Sequence, residues 1–148
     1  MSTFNYTNET ADNRLALIQE LVDSLLRANR QIIGVKGISG YPHPPMLHND
    51  GYGDGATKMP DLLAYDPKEG EFLIGIAKLT REELESQQSL TEYDVYFDQK
   101  DKNGKPYRVL IIAPAEIVSE VSSVVTHYIH RELWHHLTII ASRVKGSG

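Results

Sequence analysis

The sequence predicts an α/β domain: a mixed four-stranded sheet flanked by helices, in the order α-β-β-β-α-β-α. Three observations predict it. An apolar stripe with helical spacing lies near the N-terminus. Two β-rich segments flank the turn residues Pro67-Lys68-Glu69-Gly70. A continuous apolar run, Val109-Leu110-Ile111-Ile112, has the character of a strand buried on both faces. Hairpin-joined strands plus a strand reached across a helix require antiparallel and parallel pairing in one sheet.

Each element follows from its residues. Leu15, Ile18, Val22 and Leu25 lie on one helical stripe, widened by Leu17, Leu21 and Leu26. Thr10 or Asp12 is expected to cap this helix, which should end near Asn29. Ile32 to Ile38 reads as a strand. Ser39 to Met59, about twenty residues rich in glycine and proline, reads as one loop of a length usually reserved for function. Pro60–Asp66 and Glu71–Leu79 read as a hairpin, with Phe72, Ile74 and Ile76 on one face. Thr80-Arg81-Glu82-Glu83 and Ser89-Leu90-Thr91-Glu92 both have capping-box spacing, and a helix is expected through Tyr93, Tyr96 and Phe97. After Pro114 one long helix is expected, carrying Ile117, Val121, Val124, Tyr128, Leu133, Leu137, Ile140 and Val144.

The 148 residues suit one domain with its own core, read here as 1–148 with flexible ends at 1–10 and 145–148. Lys145-Gly146-Ser147-Gly148 has the look of an expression scar. The absence of cysteine excludes disulfides, thiolate metal sites and cysteine nucleophiles. No apolar run is long enough to span a bilayer, and the polar start carries no signal pattern, so a cytoplasmic protein without a membrane partner is expected. A net charge of −5 gives no support for broad electrostatic binding of nucleic acid. A carboxylate-rich metal site would contribute to that charge without excluding a nucleic-acid substrate.

Chemistry concentrates in the hairpin. Asp61 opens one strand and Lys78 closes the next, so antiparallel pairing brings the two together. Ile76 and Lys78, two apart, point to one face. Taken alone, a Pro-Asp pair is common strand-entry chemistry, and a strand-end lysine is usually solvated.

Met59-Pro60-Asp61 to Asp66, a turn, then Phe72 to Leu79 with Gly75-Ile76-Ala77-Lys78, resembles the signature of the PD-(D/E)XK nuclease superfamily. The element order over roughly residues 10 to 115 resembles that restriction endonuclease-like fold as well. The resemblance implies a magnesium- or manganese-dependent DNA endonuclease or resolvase-like phosphodiesterase. Asp61 and the Ala77 carbonyl would be metal ligands and Lys78 the catalytic cation. DNA would be the partner, and a homodimer would address two strands, with the C-terminal helix as its candidate interface. The family's second acid is missing, since Ile76 occupies its position. Three readings of Ile76 stand side by side. The acid has moved, with Glu20 on the first helix the leading candidate for a catalytic and metal-binding role and Glu83, Glu85 and Glu92 the others. Alternatively, the chain is a catalytically inactive binding module, or the residue was altered by engineering.

Gln88 and Tyr93 fall near a glutamine–tyrosine pair of some relatives, with one extra residue between them here. They and His43 on the long loop are candidate substrate contacts; a surface amide, a core tyrosine and a solvated loop histidine are the bland alternatives. His43, His48, Asp50 and Asp54 match no metal-ligand spacing. His127, Arg131 and His135 are four apart and would share a helix face, either solvated or touching phosphate.

Overall fold

The computed structural model describes residues 3–49 and 56–143, with side chains from residue 12 onward. Helix α1 (Thr3–Arg27) begins well before the expected cap, so Thr10 and Asp12 are inside it. It ends as expected. Asn29 takes a left-handed conformation at φ 62°, and the Arg30 amide donates to the Leu25 carbonyl at 3.0 Å, closing the helix. Strand β1 (Gln31–Val35) follows. The segment expected to be one loop contains a small two-stranded ribbon, β2 (Leu47–His48) and β3 (Thr57–Lys58). Its tip, with Asp50, Asp54 and the glycines between them, lies outside the described residues. Asn49 Nδ2 donates to Asp94 Oδ2 at 3.0 Å, which ties the ribbon to the helix containing Asp94.

The predicted hairpin forms as β4 (Leu62–Asp66) and β5 (Glu71–Ala77). Its turn is locked by Asp66 Oδ1, which accepts from the Lys68 and Glu69 amides at 3.0 and 3.2 Å. A 3₁₀ turn (Glu82–Glu85) leads to α2 (Gln87–Tyr96). The cap of α2 is Ser86, whose Oγ accepts from the Ser89 amide at 3.1 Å, not Ser89 as the spacing suggested. Strand β6 (Arg108–Pro114) and helix α3 (Val118–Tyr128) come next.

The single long C-terminal helix is not formed. Arg131–His136 is 3₁₀ helix, and β7 (Leu137–Ser142) joins the sheet. Leu137 and Ile140 satisfy a helical period in sequence, but with Ile139 they pack as a half-buried edge strand. The face proposed for His127, Arg131 and His135 therefore does not exist. His127 lies edge-on to Tyr128, and Arg131 stacks over Trp134.

The sheet has five strands, not four, in the order β1-β4-β5-β6-β7. The first two pairings are antiparallel and the last two parallel. One face packs Leu62, Ala64, Leu73, Ala77, Leu110 and Ile112 against Leu17, Leu21 and Leu25 of α1. The other packs Leu63, Ile74, Ile76, Val109 and Ile111 against Tyr93 and Tyr96 of α2 and Val121 and Val125 of α3. Cover on both faces explains why β5 and β6 are apolar after their first residues, Glu71 and Arg108, which pair with each other at 3.0 Å. Gly75 sets the closeness of α1: a Cβ there would fall 2.7 Å from Leu21 Cδ2. That approach brings the middle of α1, at Arg14, to the end of β5.

Candidate active site

Asp61 sits just before β4, fixed by its own backbone, whose carbonyl accepts from the Lys36 amide at 2.9 Å. Its Oδ2 accepts from the Ala77 amide at 2.9 Å. Lys78 follows directly after β5 and is 5% exposed. Both line one pocket of about 410 Å³, as hairpin pairing predicts. A buried ammonium must be compensated. Lys78 Nζ donates to Ser89 Oγ at 2.7 Å and to Glu92 Oε1 at 2.6 Å, and lies 5.8 Å from the centre of the Tyr93 ring. The second supposed capping box is thus the cradle of the lysine. Three-residue spacing puts Ser89 and Glu92 on one face of α2, and that face turns inward.

The four candidate acids separate by geometry. Glu92 lines the pocket beside Asp61 and Lys78. Glu83 also lines it, but Oε1 accepts from the Leu79 amide at 2.5 Å and Oε2 pairs with Arg14 at 2.7 Å. Glu85 accepts from the Tyr128 hydroxyl on α3. Glu20, the leading candidate from sequence, is not in the site. Its Oε1 accepts from Ser142 Oγ at 2.7 Å, in a separate surface depression with Gln19, Asp23 and Arg143.

The residue that α1 does deliver is Arg14. It continues the buried stripe of Leu17, Leu21 and Leu25 backward by one turn, whereas Glu20 falls on the flank of that stripe. Arg14 Nη1 donates to the Ala77 carbonyl at 2.7 Å. The carbonyl expected to face a metal ion therefore carries a guanidinium hydrogen bond.

Of the expected substrate contacts, Gln88 lines the pocket on its exposed rim. Tyr93 is not among the pocket residues. It is 1% exposed, and its hydroxyl donates to the Leu84 carbonyl at 2.8 Å, so it supports the helix beneath Lys78. His43 is exposed on the segment crossing Gly34 of β1 and is not among the pocket residues. The long loop does reach the site through Lys58 and Met59.

The electrostatics are those of a crowded acid pair. Burial raises the Asp61 pKa above the ordinary carboxylate value; the Ala77 amide opposes the rise, the charge of Glu92 adds to it, and Arg14 and Lys36 pull it back. Tyr96, fully buried on α2, has its pKa raised by burial and then by the charges of Glu92 and Asp61. Its hydroxyl has no hydrogen-bond partner among the described residues. Arg14, Lys36, Lys58 and Lys78 face Asp61, Glu83 and Glu92 across the pocket, so its ionised groups sum to a positive charge in a chain of net −5. Ile76 is 1% exposed within the apolar cluster under α2 and α3. Among the described residues no three His, Cys, Asp or Glu side chains group closely enough to hold a metal ion by themselves. No described helix is long and apolar enough to cross a membrane.

No protein-family model, curated protein or solved structure matches the chain.

Proposed function

We propose that the chain is a metal-dependent DNA endonuclease of the PD-(D/E)XK type, with Glu92 as the relocated second acid. One observation carries this reading: Asp61, Lys78 and Glu92, from three different segments, converge on one pocket. The donor set suits magnesium or manganese. Magnesium takes one or two carboxylates and leaves its other positions to water and phosphate. Asp61 and Glu92 supply two carboxylates whose mutual repulsion a divalent ion would relieve, and the Ala77 carbonyl is a third oxygen. The bound ion would polarise a phosphoryl oxygen and lower the pKa of a water. Lys78 holds a proton donor at the pocket floor, where it can stabilise charge developing on the phosphate. Lys36 and Lys58 on the rim would neutralise flanking phosphates. A second copy of the chain would address the second strand; Tyr128 at the end of α3 and Trp134 just beyond it are among the exposed large apolar residues available for that contact.

Purified protein is expected to nick supercoiled plasmid with magnesium or manganese but not with a chelator. Lys78→Ala is expected to lower the rate by about a hundredfold or more. Wild type inert on supercoiled, linear and single-stranded DNA under both metals rejects the enzymatic reading.

A second reading rests on a specific observation. The Ala77 carbonyl and the Glu92 carboxylate are already satisfied by Arg14 and Lys78. A chain that has replaced the metal with its own cations would be a non-cleaving module that binds DNA or protein. DNA binding unchanged by metal, without cleavage, would favour it.

A further inference from the structure

We infer that Arg14 is a place-holding cation: it occupies the Ala77 carbonyl when no divalent ion is bound, yields it on metal entry, and then contacts a substrate phosphate. This rests on the nuclease reading and deepens it.

The contacts are specific. The guanidinium forks between the Ala77 carbonyl and Glu83 Oε2, both at 2.7 Å. The first is an oxygen of the proposed metal site and the second is an anchor beside it. Arg14 also acts electrostatically on Asp61. A divalent ion at Asp61 and the Ala77 carbonyl would add two positive charges where a third already stands, at short range. Like charges at such a distance exclude one another, so metal entry disfavours the present arginine position.

The arginine has somewhere to go. Its side chain is 33% exposed, so it is not walled in by the core. It lies on the same pocket as Lys36 and Lys58. A guanidinium released there meets an anionic phosphodiester in the planar, two-pronged geometry that arginine favours. Glu83 keeps its bond to the Leu79 amide and remains as a tether when the arginine moves. Metal occupancy and phosphate binding are thereby linked through one side chain, and linkage of this kind is reciprocal.

The test compares wild type, Arg14→Gln and Arg14→Lys. Manganese affinity is measured by calorimetry without DNA. Binding of a labelled duplex is measured with and without calcium, which replaces magnesium without supporting turnover. Arg14→Gln is expected to bind manganese about tenfold more tightly, the equivalent of one charge-assisted hydrogen bond that need not be broken. It is also expected to lose most of the calcium-dependent gain in duplex affinity. Arg14→Lys, which keeps the charge without the fork, should fall between and guards against misfolding of the glutamine variant. Equal manganese affinity in all three proteins overturns the place-holder and leaves the metal-dependent reading intact. No manganese binding by any of them overturns both.

Discussion

If the proposed nuclease reading holds, Asp61→Asn is expected to abolish cleavage and to leave the protein at least as stable as wild type at neutral pH. The carboxylate is held where burial and the charge of Glu92 both disfavour ionisation. Asparagine keeps an oxygen for the Ala77 amide and removes the charge, so the hydrogen bond survives and the electrostatic cost does not. Loss of one of two anionic ligands is expected to lower the rate on the order of a thousandfold. The pH dependence has a definite sign. The folded-state pKa is raised, so the folded chain binds this proton more tightly than the unfolded chain. Ionised Asp61 therefore subtracts from stability above its folded pKa, and the loss fades as pH falls through that value. The asparagine variant should melt above wild type at neutral pH, with the gap closing in acid. Activity of wild type should fall in that same acid range, above the ordinary aspartate value of 3.8. Thermal melts and initial rates across pH check both. An asparagine variant much less stable than wild type would mean that Asp61 is a structural residue.

The second large effect is at Glu92. Glu92→Ala is expected to remove the proposed cleavage and to cost about 3–5 kcal/mol, because it leaves the ammonium of Lys78 buried and half-compensated. The pair is well enclosed, with side-chain exposures of 6% and 12%, so solvent does little to soften the loss. Glu92→Gln preserves a hydrogen-bond acceptor for Lys78. It should keep most of the stability while still losing cleavage, which separates the chemical role from the structural one. Lys78→Met combined with Glu92→Leu should recover much of the stability, since apolar replacement of a buried pair is often neutral, and should remain inactive. Urea denaturation of the four proteins measures these differences. Glu92→Gln with near-normal cleavage would assign the second acid elsewhere.

Much of this site was legible in the sequence through the hairpin. Alternation and turn chemistry fix which ends of β4 and β5 meet, so Asp61 and Lys78 could be paired without coordinates. Glu92 was visible only as one of several acids, because S-x-x-E spacing reads equally as a cap or as an inward-facing pair. Ser86 takes the cap, and that frees Ser89 and Glu92 to turn toward Lys78. Arg14 carries a sequence signal of its own: it extends the buried stripe of α1 by one turn, while Glu20 does not. The C-terminal strand was misread because Leu133, Leu137, Ile140 and Val144 satisfy a helical period. That pattern carries no information about whether a free sheet edge waits beside β6. Only tertiary pairing with β6 decides it.

Anomalous X-ray scattering from wild-type crystals soaked in manganese reads the proposed catalytic centre itself. The expected result is one ion with an oxygen of Asp61 and an oxygen of Glu92 among its ligands at about 2.1 Å, and the Arg14 guanidinium turned away from the Ala77 carbonyl. Saturating manganese that leaves Arg14 on that carbonyl, with no ion between the two acids, would contradict a metal-dependent nuclease.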